Sequence, residues 1–262
     1  MTSIVVKVGG HALDSLAPTS PVLVDLANDI AKLQAEGTSV VVVHGGGPQI
    51  HALLADVGLE GEFHEGLRVT SPETMRYVAM ALSEVNLAIV SSFNQAGLVS
   101  VGLSGTDGSV LSSTPRGDVW GRVATSPKVR ADVLASLWEA NFTPVMTSIA
   151  VDDEGELLNC NADTAAGAIA SALGATLVLL SDVDQLRGDP DDPTSGVEKI
   201  TMAQLLDLVA SGSARDGMRP KGLAALDALE GGATSVLIAN GTRPHALANA
   251  LAKSIPTTEV VR

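Results

Sequence analysis

Short, continuous apolar runs alternate along the chain with longer segments in which apolar residues recur at helical spacing. The runs are rich in β-branched residues and predict strands at residues 3–8, 38–43, 98–105, 142–150, 175–182 and 234–241. Helices are predicted at residues 20–37, 161–174 and 218–232, each of which ends in glycine. Strands that alternate with helices are typical of an α/β protein whose mostly parallel central sheet is sandwiched between helices.

Most of the predicted strands end in glycine or a small polar residue. The first two run into "VGG" and "HGGG", and later ones run into "LSGTDG", "LSD" and "ANG". In open α/β sheets, ligands bind beyond the carboxyl ends of the strands, so we expect the functional residues along that one edge. We place an approximate boundary between two predicted lobes, residues 1–160 and 161–262, near Asn161.

The glycine turn "HGGGPQI" follows the second strand and opens a helix. Pro-Gln-Ile stands where a P-loop needs lysine and serine or threonine, and Ile50 stands where a dinucleotide fingerprint needs a small residue. Glycines nevertheless let backbone N–H groups approach a ligand closely, and Pro48 suits the first turn of a helix, whose positive end faces an anion. A plain strand-to-helix connection is the alternative, but three successive glycines favour anion binding.

The composition narrows the possible partners. Aromatic residues make up 2% of the 262 residues. The formal net charge is −14, and this negative charge disfavours nucleic acid or an anionic membrane as a partner. No apolar run approaches the length of a membrane span, and the N-terminal run is too short for a signal peptide. The single cysteine, Cys160, fits a reducing compartment, so the sequence predicts a cytoplasmic protein.

Two lysines stand beside these glycine-containing segments. Lys7 lies on the otherwise apolar first strand, two residues before Gly9 and Gly10. A buried lysine is costly unless it is paired or meets an anionic ligand; the alternative is a solvated lysine on an edge strand. Lys221 in "DGMRPKG" stands beside the start of a predicted helix and, taken alone, is typical of a surface residue.

Seven motifs run through nearly the whole chain in the order "VKVGG", "VVVHGGGPQI", "GLRVT", "GLSGTDG", "NCNADT", "LLSDVDQL" and "DGMRPK". Together they resemble the amino acid kinase family, and within it the enzymes of arginine biosynthesis that phosphorylate N-acetyl-L-glutamate. The resemblance implies an αβα fold with an acyl-substrate lobe at about residues 1–160 and a nucleotide-binding lobe at 161–262. It also implies ATP as the phosphoryl donor, with Mg²⁺ held mainly by the ATP phosphates.

The resemblance also implies a role for individual residues. Lys7 and Lys221 approach the transferring phosphoryl group from opposite sides, and Asp163 orients both. The implied acyl-substrate contacts are the backbone amides of Gly45 and Gly46, with Arg68 and Asn159 at the α-carboxylate. The implied ATP contacts are Gly9, Gly10, Asp182, Val183, Asp184, Gln185, Leu186, Arg187, Ser213, Ala214 and Arg215.

Other residues receive no such role. Thr106 and Arg219 stand where relatives vary or carry apolar residues, so contacts there do not follow from the resemblance. The histidines show no metal spacing and no triad partner, and no metal ligand is predicted in the chain. No general base is needed either, because a side-chain carboxylate with a pKa of roughly 4.3 is already ionised at neutral pH.

Two other functions stay open. One is a sibling kinase of lysine biosynthesis that phosphorylates aminoadipate or glutamate held on an acidic carrier protein; a net charge of −14 disfavours the basic patches that such a carrier needs. The other is a non-catalytic ligand sensor on the same fold. Loss of Lys7, Lys221 or Asp163 would mark a sensor, and all three are present.

The segment 71–97 predicts how the protein assembles. One apolar stripe runs through Met75, Val78, Leu82, Val85 and Ile89, and a second includes Met80 and Leu87. A helix that is apolar on two sides has more to bury than one sheet face, which favours a homodimer through residues 71–93 over burial in a thick core. The resemblance implies the same dimer. Arginine-inhibited relatives carry an extra N-terminal helix that links dimers into hexamers, and since the first strand begins by about residue 3, we expect no inhibition by that mechanism.

Overall fold

A computed structural model describes residues 2–189, 191–192, 194–211 and 218–262. Its helices begin where the sequence supplies a start signal: proline opens the first three, and the side chains of Ser71 and Asn161 accept hydrogen bonds from first-turn N–H groups. The α-helices are α1 (Pro21–Ala35), α2 (Gly47–Asp56), α3 (Pro72–Gln95), α4 (Ala131–Glu139), α5 (Ala162–Leu173), α6 (Met202–Ala210), α7 (Met218–Gly231) and α8 (Ala246–Leu251).

The strands coincide with the β-branched runs of the sequence, and further short strands lie between them. They are β1 (Ser3–Val8), β2 (Ser39–His44), β3 (Phe63–His64), β4 (Leu67–Arg68), β5 (Ser100–Leu103), β6 (Leu111–Ser112), β7 (Pro115–Gly117), β8 (Gly121–Ala124), β9 (Lys128–Val129), β10 (Thr143–Thr147), β11 (Ile149–Val151), β12 (Leu157–Asn159), β13 (Thr176–Ser181), β14 (Lys199–Thr201), β15 (Ser235–Asn240) and β16 (Thr257–Val261).

The central sheet has eight strands in the order β14-β16-β15-β13-β1-β2-β10-β5. All neighbouring strands are parallel except β15 and β16, which confirms the mostly parallel sheet predicted from the sequence. β1 lies inside the sheet between β13 and β2, so Lys7 is not on an edge strand. The sheet takes strands from both predicted lobes, and Asn161 caps a helix packed on it.

Alternate residues of the central strands enter separate hydrophobic cores on the two faces of the sheet. Val5, Val41 and Val43 pack in one core with residues of α5 and α7. Val6 and Val42 pack in the other core with residues of α1, α3 and α8. This period of two is the pattern that a strand buried on both faces requires. Among the described residues, none of the helices has the combination of length and apolar character needed to cross a membrane.

A second sheet, in the order β7-β8-β12-β11-β6-β9, is continuous in sequence with the first. The run 142–150, predicted as one strand, is in fact two, since the chain leaves the central sheet after β10 and enters the second sheet as β11. The β3–β4 hairpin stands apart as a two-stranded sheet, joined to β8 by the bridge between Thr70 and Gly121. Later in the chain, Arg187 and Gly196 form an isolated antiparallel bridge.

Helix α3 carries the two apolar stripes predicted from its sequence. The stripe from Met75 to Ile89 is buried. In the second stripe, the side chains of Met80 and Leu87 are 59% and 71% exposed in the single chain. An apolar helix surface is therefore left open to solvent.

The contact between Gly121 and Thr70 yields a stability prediction. Gly121 has a φ of 64°, and a Cβ atom there would lie 2.5 Å from the carbonyl oxygen of Thr70. Gly155 has a φ of 82° with no atom within 4 Å of such a Cβ, so it serves as the matched control. The left-handed backbone alone costs a non-glycine residue about 1–3 kcal/mol, and the contact adds to that cost at one site only. We expect Gly121→Ala to lower the free energy of unfolding in urea by more than Gly155→Ala does; equal losses would contradict the contact.

Candidate active site

The carboxyl ends of the central strands meet at one edge of the sheet, as the sequence predicts. Val8 lies beside His44 in the register of β1 and β2, and Ser181 lies beside Asn240 in that of β13 and β15. The glycines after β1 and β2 and the polar segment after β13 therefore share one edge. This placement follows from parallel strand order and needs no contact between the side chains.

Three charged side chains form a buried cluster at this edge. Lys7 Nζ lies 2.8 Å from Asp163 Oδ1, and Lys221 Nζ lies 3.8 Å from Asp163 Oδ2. The exposed fractions of the Lys7, Lys221 and Asp163 side chains are 10%, 14% and 6%. They come from β1, α7 and the first turn of α5, so the fold assembles a carboxylate between two cations from distant parts of the chain.

The environment of Asp163 keeps it ionised. Burial acts to raise the pKa of this carboxyl, but the charges of Lys7 and Lys221 and their hydrogen bonds together outweigh burial, and the pKa lies below its ordinary value of 3.8. The cluster then carries one net positive charge in a site with little water. Two ammonium groups beside a single carboxylate give this part of the site a positive potential, which favours an anionic ligand.

The glycine turn leaves backbone donors free at the start of α2. Gly46 caps this helix without a side-chain hydrogen bond, and no described residue accepts the N–H of Gly46. The N–H of Gly45, in contrast, donates to the carbonyl of Val8 at 3.0 Å. The N–H of Gly45 therefore continues the β1–β2 ladder, and of the two predicted glycine amides the one at Gly46 is the free donor.

A pocket of about 470 Å³ opens beside this turn. Gly45, Gly46, Arg68 and Asn159, the predicted acyl-substrate residues, all line it. Its other lining residues are Gly47, Pro48, Ile50, His51, Phe63, Gly66, Leu67, Leu82, Val123, Ser148, Cys160, Asn161 and Ala162. The pocket thus combines apolar walls with a few polar groups, as small-molecule sites do.

Arg68 is the cation of this pocket. Although its segment reads as too polar for a core, Arg68 is 9% exposed, and its guanidinium lies 4.7 Å from the centre of the Phe63 ring. Burial lowers the pKa of Arg68, and its Nη1 has no hydrogen-bond partner among the described residues. A buried guanidinium nitrogen without a partner is costly, so a carboxylate ligand would complete its bonding.

Asn159 extends from β12, where its Nδ2 donates to Thr70 Oγ1 at 3.0 Å. Ser148 and Asn161 also line the pocket, and we did not predict them from the sequence. Asn161 precedes the helical run of α5, and its Oδ1 accepts the N–H groups of Asp163 and Thr164. A capping residue at that position was the available signal for Asn161. Ser148 had no signal, because the break between β10 and β11 is not visible in the sequence.

The predicted nucleotide residues differ in where the structure places them. Two of them lie at the sheet edge: Gly9 is beside the Lys7 ammonium, and Asp182 follows β13. Asp184 forms an ion pair of 2.9 Å with Arg243. Leu186, in contrast, does not face the sheet edge with its side chain, which is 1% exposed and lies in the core. Its N–H donates to Thr258 Oγ1, and its carbonyl accepts the N–H of Val197. Ser213, Ala214 and Arg215 lie outside the described residues.

Other residues of the motifs lie near the site without a charged role. Cys160 lines the pocket at 2% exposure, and burial raises the pKa of its thiol to about 12, so the thiol is neutral. Thr106 is exposed in a turn. Arg219 is exposed and lines a neighbouring cleft of about 510 Å³ that shares Gly66, Leu67 and Asn161 with the pocket.

Comparison with known proteins finds relatives that are similar to this chain over most of its length. The chain is 41% identical over 248 residues to an acetylglutamate kinase of Synechococcus sp. (strain CC9605), covering 93% of this chain and 83% of that protein. It is 38% identical over 247 residues to an acetylglutamate kinase of Prochlorococcus marinus (strain NATL2A), covering 93% of this chain and 80% of that protein.

Solved structures share the fold. The protein smu.665 from Streptococcus mutans UA159 superposes with a TM-score of 0.81 at 30% identity, over 91% of this chain and 94% of that one. Carbamate kinase from Giardia lamblia superposes with a TM-score of 0.70 at 17% identity, over 99% and 98% of the two chains, and shows the fold alone. The sequence profile described as the amino acid kinase family matches residues 2–240. The chain therefore belongs to the amino acid kinase family.

Proposed function

We propose that the protein transfers the γ-phosphoryl group of ATP to the side-chain carboxylate of N-acetyl-L-glutamate, forming an acyl phosphate and ADP in arginine biosynthesis. The observation that carries the proposal is the Lys7–Asp163–Lys221 cluster beside the free donors of the glycine turn. Relatives named acetylglutamate kinase, about 40% identical over most of the chain, support the acceptor.

The chemistry needs positioning and neutralisation of charge more than proton transfer. An oxygen of the ionised side-chain carboxylate attacks the γ-phosphorus, and the bond from that phosphorus to the bridging oxygen of ADP breaks. Negative charge spreads over the transferring group as this occurs. Lys7 and Lys221, on either side of Asp163, stabilise that charge without prior reorganisation.

Asp163 holds the two lysines rather than a metal. Both of its oxygens face an ammonium group, so a divalent cation would have to displace a lysine. Mg²⁺ would instead be held mainly by the phosphates of ATP, where it would add further neutralisation of charge. Without Asp163, the negative charge that lies between the two ammonium groups would be lost, which is unfavourable.

The acceptor lies in the pocket beside the glycine turn. Arg68 and Asn159 bind its α-carboxylate, and the N–H of Gly46 faces the reacting end. ATP lies along the sheet edge, with Gly9 and Gly10 at its phosphates and Asp182, Val183, Asp184, Gln185 and Arg187 nearby. The acceptor then lies on the lobe of residues 1–160, and most of the nucleotide contacts come from residues 161–262, with Gly9 and Gly10 contributed by the first lobe.

A coupled assay of ADP release, with N-acetylglutamate, glutamate, aspartate and aminoadipate tested in parallel, decides the acceptor. We expect turnover with N-acetylglutamate and little with the others. Preference for aminoadipate would instead favour the lysine-biosynthesis kinase. A protein that binds ATP but turns over none of these acceptors, and no carrier-bound acceptor either, would instead be a sensor.

The cluster of Lys7, Asp163 and Lys221 leads to a kinetic prediction. We expect Lys7→Ala and Lys221→Ala each to lower kcat on the order of 10²–10³-fold with much smaller changes in KM for either substrate, because the lysines act mainly in the transition state. Lys128→Ala, at an exposed position on β9, is the control and should keep wild-type kinetics. Wild-type kcat in either site variant would refute the assignment.

Arg68 Nη1, which has no hydrogen-bond partner among the described residues, leads to a prediction about substrate binding. Arg68→Lys keeps the charge but loses the planar pair of donors, so N-acetylglutamate binding should weaken roughly tenfold or more while ATP binding changes little. Calorimetry with each ligand separately measures both affinities, and exposed Arg130→Lys serves as the control. Unchanged N-acetylglutamate affinity would place the carboxylate site elsewhere.

We also propose that the protein is cytoplasmic and forms a homodimer through α3. The dimer is supported by Met80 and Leu87, which are large apolar side chains exposed in the single chain. Leu87→Glu should shift the protein from the dimer toward the 26.6 kDa monomer in light scattering. Leu206→Glu, at an apolar side chain of α6 that is 55% exposed, should not. A hexamer, or a dimer that survives Leu87→Glu, would contradict this interface.

A further inference from the structure

His44, the last residue of β2, is fully buried and bonded on both sides of its ring. Its Nδ1 lies 2.9 Å from the carbonyl oxygen of Gly45, and its Nε2 lies 3.1 Å from Nδ2 of Asn86 on α3. The mechanism above assigns it no role. Burial of a polar ring between two specific partners, directly before the glycine turn, calls for an explanation.

The partners of His44 determine its tautomer. Asn86 Nδ2 also donates to the carbonyl of Val145 at 2.9 Å, which identifies this atom as the amide nitrogen. Since an amide nitrogen can only donate, His44 Nε2 accepts, and the ring proton resides on Nδ1, which donates to Gly45. Burial lowers the pKa of His44 to about 4, although its bond to Gly45 acts the other way, so the ring is neutral at neutral pH.

The bond to Gly45 determines where the next amide points. His44 alternates with Val43, whose side chain packs on the α5 face of the sheet, so His44 reaches the α3 face where Asn86 lies. The carbonyl of Gly45 is held on that face. The peptide between Gly45 and Gly46 is trans, and its N–H is antiparallel to its carbonyl. The free N–H of Gly46 is thereby turned to the α5 face, which Lys7 and Asp163 occupy.

We propose that His44, held in its Nδ1–H tautomer by Asn86, is a positioning residue that fixes the Gly45–Gly46 peptide so that the Gly46 N–H stabilises the phosphoryl group in transfer. This inference rests on the proposed phosphoryl transfer and adds two residues to it. His44 touches neither substrate and acts through the backbone. Asn86 acts one step further away, through the ring of His44.

Replacement of His44 separates this role from simple packing. His44→Leu keeps most of the volume and removes the donor, so kcat should fall on the order of 10²-fold, as when one oxyanion donor is removed, while KM for ATP changes less than about threefold. His44→Asn places an amide nitrogen near the position of Nδ1 and should recover most of that loss. A folded His44→Leu variant with wild-type kcat, or no recovery with asparagine, would overturn the inference.

A matched control lies on the same helix as Asn86. Ser92 is fully buried and its Oγ donates to the carbonyl of Pro18 at 2.8 Å, away from the pocket residues. Ser92→Ala should lower the unfolding temperature and leave kcat unchanged. If Ser92→Ala reduces kcat as much as His44→Leu does, loss of any buried hydrogen bond would explain both, and the positioning role would fail.

The tautomer is measurable in the wild-type protein, whether or not a variant folds. Long-range ¹H–¹⁵N correlation spectra of ¹⁵N-histidine-labelled protein should show one neutral ring protonated at Nδ1 and unchanged between pH 5.5 and 8.5. Its Nδ1–H signal should be lost in His44→Asn, which identifies it. An Nε2–H tautomer would overturn the inference. A wild-type protein without kinase activity would refute the proposed function, whereas an active enzyme with unimpaired His44→Leu would refute this inference alone.

Discussion

The placement of Asp163 between Lys7 and Lys221 is the constraint on which the arrangement of the site depends. The three residues come from β1, α5 and α7, so their contacts fix a strand and two helices relative to one another. Removing the carboxylate of Asp163 would take away the negative charge between the two ammonium groups, at a cost of several kcal/mol. Helices α5 and α7 pack closely through small residues: a Cβ atom at Gly167 would lie 3.1 Å from the carbonyl oxygen of Ala224, and Ser171 Oγ donates to the carbonyl of Ala228.

Two kinds of positive potential lie on the same face of the sheet. The lysines supply full charges, and the N–H of Gly46 at the start of α2 supplies a fixed dipole that needs no counter-ion. Dipoles held by the backbone cost little to bury because their remaining groups are bonded in the ladder, as the Gly45–Val8 bond shows. A site of this kind can bind a transferring phosphoryl group tightly while Asp163 limits the net charge that the fold must bury.

Much of this arrangement could be predicted from the sequence, because it depends on local pattern. The β-branched runs placed the six main strands, and parallel strands bring their carboxyl ends together whatever the side chains are. Lys7 was identifiable because a lysine within an apolar central strand is rarely solvated. The resemblance to a family, and not periodicity, linked it to Asp163, which is far away in sequence.

The remaining features depend on contacts that no local pattern encodes. The division of residues 142–150 into two strands arises because the chain passes from one sheet to the other at Ser148. The N–H of Gly45 is occupied because β1 is long enough to present the carbonyl of Val8 beside it. Leu186 falls in a motif segment, but its side chain turns into the core because Thr258 and Val197 bind its backbone. Each case is decided by a neighbour distant in sequence.

The net charge of −14 raises the question of how the protein attracts ATP and a dicarboxylate. Exposed charges are screened over a Debye length of about 8 Å at physiological ionic strength, so most of the acidic surface acts weakly on a ligand already in the pocket. Lys7 and Arg68 are buried and Lys221 is largely shielded from solvent, so screening there is small and opposite charges interact strongly. The acidic surface therefore slows the encounter with anions more than it weakens their binding. The few cations of the site attract these anions strongly because they are shielded from solvent, and not because they are numerous.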